Sequence, residues 1–207
     1  LWTNNVKQPL PPSFFAEALT RYNGKTYIAG NRDFDSPALW VDGVLTDLEY
    51  PTDEFSDFSI RDVAVSENGD VYVAGVLEAE YPDSDVEVPV IWKNGMATFL
   101  PIENNREAFL SSIFLTGEDV YVTGTSSLID NSSGLRNKVM VWKNGIPVDD
   151  FSEIFSSSLT INDIAVSSQN DIYVVGFFKN QATLWKNGEV NILLPFGRAF
   201  SIAIPQK

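Results

Sequence analysis

Hydrophobic and polar residues follow the same order four times along the 207-residue chain. In each repeat, an apolar run leads through a short polar turn into a second run that has Tyr in second place and Gly in fifth. These tyrosine runs are Thr26–Gly30, Val71–Gly75, Val120–Gly124 and Ile172–Gly176. Short runs rich in Val, Ile and Tyr between polar turns are typical of β-strands.

A tryptophan motif alternates with the tyrosine runs. Its copies are Trp40–Gly43, Trp92–Gly95, Trp142–Gly145 and Trp185–Gly188, and the last three read Trp-Lys-Asn-Gly. An Asn-Gly pair between strands indicates a two-residue hairpin, because both central residues of a type I′ turn need positive φ. Each repeat therefore predicts four short antiparallel strands, with the tyrosine run as the second and the Trp at the end of the third.

The tyrosine runs are apolar on both faces, so each small sheet must be covered on both sides. Packing four-stranded sheets around an axis covers them and leaves only short edges. The sequence therefore predicts an all-β fold, a β-propeller of four-stranded antiparallel blades. A flat β-solenoid is the alternative, although solenoid coils usually repeat over shorter periods.

The alternation of the Val-Tyr-Val-Ala-Gly strand at Val71–Gly75 with the Trp-Lys-Asn-Gly hairpin at Trp92–Gly95 resembles secreted or lipid-anchored bacterial β-propeller proteins. Most of these proteins are functionally uncharacterised. The layout is also similar to that of Kelch propellers, but one Gly stands here where Kelch strands have two. The resemblance implies an exported protein, extracellular or on the bacterial cell surface, with lipid anchoring before processing as one route.

The repeats define a single propeller domain with a partial unit at each end. Its units span approximately 1–12, 13–50, 51–101, 102–152, 153–196 and 197–207. The N-terminal part resembles the third and fourth strands of a unit, and the C-terminal part resembles a first strand. Together they would form one more blade without its second strand, so a closed ring needs at least five blades. We expect further polypeptide, from this chain or another, to complete that blade.

The amino-acid composition excludes several kinds of catalytic and metal site. The chain has no His and no Cys, which excludes a Ser-His-Asp triad, a cysteine nucleophile, disulfides and the usual zinc ligands. Its net charge of −14 argues against nucleic acid or an anionic membrane surface as the main partner. No apolar run is long enough for a direct membrane span. We predict no cofactor, and the partner classes that remain are proteins, cations and neutral glycans.

Loop lengths distinguish the two ends of the predicted propeller. The turns between first and second strands and the hairpins after Trp are short in every repeat. The loops between second and third strands and the connections between units vary, and they form what we term the variable face. Binding residues tend to lie on variable loops of a rigid scaffold. We expect a protein or glycan to bind there, and a place in a larger envelope complex fits equally well.

Two loops of the variable face carry alternating carboxylates, and we take them as the candidate binding residues. They are Asp33 and Asp35 in one loop, and Tyr81, Asp83 and Asp85 in the other. Alternating carboxylates can supply the hard oxygen ligands of Ca²⁺. Neither segment fits an EF-hand loop, and a solvated acidic loop is the simpler interpretation. We therefore predict no metal, with Ca²⁺ as the alternative.

Short polar residues also recur within the first strands. When the first strands are aligned, the same repeat position holds Glu17, Asp62, Ser112, Asp163 and Ser201. If the first strands are innermost, these three carboxylates face the axis, where glycoside hydrolase-like five-bladed propellers place catalytic acids and bases. The simpler interpretation is a hydrogen bond to the neighbouring blade, because catalysis needs unequal environments for its two carboxylates.

The tryptophans allow a further alternative. Exposed indoles would resemble the sugar-stacking residues of tachylectin-like lectins, whereas buried indoles would fill the core between blades. We favour the core, and we assign the lysines after Trp92, Trp142 and Trp185 to turn chemistry. The sequence thus predicts a noncatalytic binding or scaffold propeller and not an enzyme, with a carboxylate-dependent glycan-active enzyme or a lectin as alternatives.

Overall fold

The computed structural model describes residues 2–3, 5–7, 9–34, 36–50, 55–79, 86–102, 106–130, 134–151 and 158–205. Within these residues, every regular element is a β-strand except a short 3-10 turn at Asp149–Phe151. The strands form four four-stranded antiparallel sheets and one two-stranded sheet. No helix in this part of the chain is long and apolar enough to cross a membrane.

The four larger sheets follow one another along the chain, and we call them the first to fourth blades. The first contains β3 (Phe14–Tyr22), β4 (Lys25–Arg32), β5 (Ser36–Val41) and β6 (Val44–Asp47). The second contains β7 (Asp57–Val65), β8 (Val71–Ala79), β9 (Val86–Lys93) and β10 (Met96–Phe99). The third contains β11 (Arg106–Thr116), β12 (Asp119–Asp130), β13 (Gly134–Lys143) and β14 (Ile146–Pro147). The fourth contains β15 (Leu159–Val166), β16 (Ile172–Phe178), β17 (Gln181–Lys186) and β18 (Glu189–Leu194), and the small N-terminal sheet pairs β1 (Trp2–Thr3) with β2 (Val6–Lys7).

Consecutive blades pack face to face, as in a β-propeller, and this confirms the predicted fold. Three apolar clusters each combine residues of two neighbouring blades: first with second, second with third, and third with fourth. Over the described residues, the four blades do not close into a ring.

The tryptophans fill the core, as predicted. Trp92, Trp142 and Trp185 are fully buried, and Trp40 is buried as well. The indole Nε1 of Trp92 donates a hydrogen bond to the Glu49 carbonyl, 2.7 Å away, in the connection from the first blade. Burial of these large rings against a neighbouring blade contributes a few kcal/mol each, which ties successive blades together.

The hairpins after the tryptophans have the predicted geometry. Asn94 and Gly95 have φ values of 51° and 91°, so both central residues are in the left-handed region that a type I′ turn needs. The same positive pair occurs at Asp42–Gly43, Asn144–Gly145 and Asn187–Gly188.

Each first strand contains a β-bulge beside the glycine of its second strand. The bulged residues are Glu17, Arg61, Ser111 and Asn162. A side chain at Gly124 would overlap the carbonyl oxygen of Phe109, and Gly30, Gly75 and Gly176 meet the equivalent carbonyls. The fifth residue of the tyrosine run must therefore be Gly, because the backbone of the bulged first strand lies too close to leave room for a side chain.

Candidate functional site

A chain of hydrogen bonds joins the first strands of successive blades near the propeller axis. It consists of Asp62, Ser112, Asp163 and Ser201, and we call it the axial chain. Ser112 Oγ lies 2.9 Å from Asp62 Oδ2 and 2.9 Å from Asp163 Oδ1, so one hydroxyl contacts carboxylates of both neighbouring blades. Ser201 Oγ donates to Asp163 Oδ2 at 2.8 Å. The first strands are therefore innermost, which is the condition that the sequence analysis set for an axial position of these residues.

Both carboxylates of the axial chain also accept backbone hydrogen bonds from the next strand. Asp62 Oδ2 accepts from the Ile113 N–H at 2.9 Å, and Asp163 Oδ2 accepts from the Ile202 N–H at 2.9 Å. Burial raises the pKa of Asp62, although hydrogen bonds from Ile113, Ser112 and Val63 oppose this effect. The geometry matches the blade-to-blade role that the simpler interpretation gives these residues.

Glu17 lies outside the axial chain, one residue away from the position that the sequence alignment gives it. The pairing register places Ala18 opposite Ala29, as Asp62 lies opposite Ala74, whereas Glu17 is the bulged residue. The turns before β4 and β12 hold two residues, whereas the turns before β8 and β16 hold five. The axial position therefore lies nine residues before the tyrosine in the first and third blades and ten in the second and fourth, and Glu17, ten residues before Tyr27, misses it by one.

The bulged residues of three blades line a cavity of about 440 Å³, which we call the axial cavity. Arg61, Ser111 and Asn162 contribute a guanidinium, a hydroxyl and an amide, and Thr125 and Thr160 add two hydroxyls. Apolar side chains of the third and fourth blades complete the walls. None of the described residues that line this cavity is Asp or Glu. It opens toward the variable face, because Thr125 and Thr160 lie on that side of the bulges.

Acidic side chains lie beside the axial cavity at the same end of the second blade. Asp57 pairs with Glu78 and Glu78 pairs with Glu87 across adjacent strands, a line that we call the acidic row. Burial and the charges of Glu78 and Glu107 raise the pKa of Glu87 to about 7, while Arg61 opposes the shift. Like charges opposite one another destabilise a sheet, so a cation here would relieve repulsion.

The predicted loop residues are only partly described. Asp33 is exposed and has a φ of 54°, and the neighbouring Phe34 is 69% exposed and packs on Phe15 with ring centroids 4.0 Å apart. Asp35, Tyr81, Asp83 and Asp85 lie outside the described residues. Among the residues that are described, no group of three or more carboxylates is placed to hold a metal ion.

The lysines after the tryptophans belong to the turns on the other face. Lys93 Nζ lies 2.9 Å from Asp70 Oδ2 and 5.3 Å from the centre of the Tyr72 ring. Asn94 donates to the same aspartate, Oδ1, at 2.7 Å. The equivalent ion pairs are Lys143 with Asp119 and Lys186 with Asp171. These contacts support turn chemistry as the role of the lysines.

Sequence reasoning did not find the residues of the axial cavity or the acidic row. Arg61, Ser111 and Asn162 differ in type, so no repeated letter marks them. The only sequence signal is the Gly that stands three residues after each Tyr of the tyrosine runs. It marks the bulge of the neighbouring strand once the strand pairing is known. Glu78 and Glu87 lie on either side of a long loop, and only the pairing of β8 with β9 brings them together.

No protein-family model matches the sequence, and a search of curated proteins also gives no match. Among solved structures, the chain is similar to an α-L-arabinofuranosidase from Clostridium thermocellum, with a TM-score of 0.43 and 13% sequence identity. The similarity covers 89% of this chain and 74% of that enzyme. At this level, the similarity says nothing about the activity of the chain.

Proposed function

We propose that the chain is a noncatalytic propeller that binds a protein ligand at its variable face, with a segment of that ligand in the axial cavity. The observation that carries the proposal is the lining of this cavity. Arg61, Ser111 and Asn162 offer hydrogen-bond donors from three blades, and no carboxylate lies among the described lining residues. Such a lining suits binding of backbone carbonyls better than acid-base catalysis.

Features around the cavity support a protein ligand with basic side chains. The acidic row presents carboxylates at the same end of the second blade, and burial together with the charges of Glu78 and Glu107 raises the pKa of Glu87 to about 7. The net charge of −14 would attract a basic partner from a distance. Phe34 adds an exposed aromatic ring on the same face, and aromatic residues are enriched at protein interfaces.

Export to a bacterial cell surface, with a lipid anchor as one route, is part of the proposal. The resemblance to secreted propellers supports it. Fractionation of the source cells followed by immunoblotting would test it, since recovery of the protein in the cytosolic fraction would contradict it.

A displayed peptide library and a glycan array would test the proposed ligand class directly. We expect the protein to retain peptides rich in Lys and Arg and to retain no glycan. Thr160→Trp fills the mouth of the cavity with a large ring, and Arg61→Ala removes its charged donor. Each variant should weaken the binding of a selected peptide by about tenfold or more, as substitution of a central contact does.

Gln169→Trp is the matched control, because Gln169 is an exposed residue of the same blade in a turn on the opposite face. It should bind the selected peptide as the wild-type protein does. If Thr160→Trp leaves peptide binding unchanged, the cavity is not the binding site. If the protein retains glycans but no peptides, its ligand is a glycan and not a protein.

A glycan-active enzyme is the second candidate, and one observation favours it. Asp62 and Asp163 approach the same hydroxyl near the axis, and burial raises the pKa of Asp62. Two nearby carboxylates, one with a raised pKa, are the pattern of glycoside hydrolysis. The hydrogen bonds at the axis argue against the enzyme, because both carboxylates already accept several of them from the neighbouring blade.

A further inference from the structure

Arg61 places a positive charge without a partner at the axial cavity. Among the described residues, its guanidinium makes no hydrogen bond and no ion pair. The other arginines with described side chains donate to a carbonyl, pair with a carboxylate or lie over an aromatic ring; they are Arg21, Arg32 and Arg198. A charged donor that no protein group satisfies is available to a ligand of the cavity.

Three hydroxyl groups of the same cavity also lack a hydrogen-bond partner within the described part of the chain. They belong to Ser111, Thr125 and Thr160. Asn162 differs, because its Nδ2 already donates to the Ala199 carbonyl at 2.7 Å. The cavity therefore offers a ligand one guanidinium and three hydroxyls, a set that carries a single positive charge.

The axial chain holds the first two of these donors side by side. Asp62 Oδ2 and Ser112 Oγ lie 2.9 Å apart and join the second blade to the third. Arg61 and Ser111 are the residues directly before them in the two strands. Since this link fixes the two backbone positions before any ligand arrives, binding costs less ordering of the site.

The acidic row lies within electrostatic reach of Arg61. Burial raises the pKa of Glu87, and the positive charge of Arg61 opposes this rise. Arg61 nevertheless forms no ion pair with a carboxylate among the described residues. A ligand that is complementary to both features needs a negative group for Arg61 and positive groups a short distance away.

We propose that the axial cavity binds the free C-terminal carboxylate of a protein ligand, whose Lys or Arg side chains a few residues earlier lie against the acidic row. The inference rests on the proposed function and names the part of the ligand that enters the cavity. A carboxylate matches the fork of a guanidinium with two parallel hydrogen bonds. Phe109 and Leu159 also line the cavity and suit an apolar side chain on the last residue.

The size and charge of the cavity favour a chain end over other ligands with a negative group. A chain end passes into the cavity of about 440 Å³ once, whereas an internal segment must also leave it and so needs space for two strands. A phosphate group carries up to two negative charges, which the acidic row and the net charge of −14 would repel more strongly. A terminal carboxylate that follows basic residues avoids both difficulties.

Matched pairs of synthetic peptides test the proposal. The probes are fluorescein-labelled hexapeptides that end in Leu, Val or Phe and carry Lys at two earlier positions, each made with a free C-terminal carboxylate and as the C-terminal amide. We expect fluorescence anisotropy to show saturable binding of an acid peptide and binding weaker by about tenfold or more for its amide. Nonspecific attraction to an acidic protein would change in the opposite direction, because the amide has the more positive charge.

Protein variants locate the carboxylate at Arg61. In Arg61→Ala, the acid and amide peptides should bind equally weakly, whereas Arg61→Lys keeps the charge without the fork and should retain part of the preference. Asp57→Asn should weaken both peptides by the same factor, because it acts on their lysines. Arg21→Ala, in a turn on the opposite face, is the matched control and should bind as the wild-type protein does. Circular dichroism establishes that each variant folds.

Equal binding of the acid and amide peptides, weakened alike by Thr160→Trp, would overturn this inference and keep the proposed function, with an internal segment in the cavity. No saturable binding of any peptide would overturn both. Sodium hexanoate and inorganic phosphate are the competitors that represent small anions. If either displaces the acid peptide at a concentration close to the Kd of that peptide, the cavity is a small-anion site and the C-terminal source is wrong.

Discussion

The hydroxyl of Ser112 lies 2.9 Å from a carboxylate oxygen of Asp62 and so links the first strands of the second and third blades. The same hydroxyl lies 2.9 Å from Asp163 of the fourth blade. Because a hydroxyl has a single hydrogen, it can donate to only one of the two carboxylates at a time. Burial is the largest cause that raises the pKa of Asp62, and the hydrogen bond from Ser112 opposes it.

Removal of this hydroxyl should destabilise the propeller. In Ser112→Ala, both aspartates keep their backbone donors but lose the shared hydroxyl in a buried setting. We expect the free energy of unfolding to fall by about 1–3 kcal/mol, measured by urea denaturation. Ser111→Ala is the control, because that neighbouring side chain faces the axial cavity. Equal stability of the two variants would show that the axial chain contributes little.

The acidic row predicts a pH dependence of stability. The pKa of Glu87 is raised from 4.5 to about 7, first by burial and then by Glu78 and Glu107. The folded state therefore holds this proton more tightly than the unfolded state, and stability falls as pH rises from about 4.5 to about 7.

Glu87→Gln should remove that loss of stability. Since the side chain is only half-buried and partly screened by solvent, we expect the variant to be more stable than the wild-type protein by about 1 kcal/mol at about pH 8 and nearly equal at about pH 4. Thermal unfolding across this range is the measurement, with the exposed Glu118→Gln as control. A constant difference at all pH values would rule out titration of Glu87 as its cause.

The hairpin asparagines should contribute to stability through two contacts each. Asn144 Oδ1 accepts the Val120 N–H at 2.8 Å, and its Nδ2 donates to Asp119 Oδ1 at 2.7 Å. Its φ of 51° also disfavours most other residues. Asn144→Ala should therefore lower the free energy of unfolding by about 1–2 kcal/mol. Asn68→Ala, in an exposed turn, should change it by much less.

Part of the fold and of the candidate site can be predicted from the sequence. The repeats predict the blades, the hairpins and the buried tryptophans, because each depends on local pattern and burial period. The position of Glu17 escapes this reasoning, since a two-residue turn and a β-bulge shift the register by one residue without changing the pattern. Arg61 and Glu87 escape it as well, because their surroundings depend on pairing between strands that are distant in sequence.

The burial of the tryptophans provides a test of the lectin alternative. Trp40, Trp92, Trp142 and Trp185 offer no exposed ring for sugar stacking. In a Trp2→Phe variant, which leaves only these four indoles, iodide should quench the fluorescence far less than it quenches free tryptophan. Strong quenching that a bound sugar relieves would restore the lectin, and a urea-unfolded sample supplies the fully accessible reference.

Paired substitutions at the axis can separate the binding propeller from the enzyme. Asp62→Asn and Asp163→Asn each keep the shape of the side chain but replace one acceptor oxygen with an NH₂ group, which cannot accept the hydrogen bonds that the neighbouring blade donates. We therefore expect both variants to lose stability, and we expect neither the variants nor the wild-type protein to release product from nitrophenyl glycosides or polysaccharides. Hydrolysis by the wild-type protein that falls by about 100-fold or more in a folded variant would establish the enzyme instead. Arg61→Ala complements these two variants, because it removes a donor of the axial cavity and leaves the axial chain intact. If the protein is a binding propeller, this variant should bind its ligand more weakly.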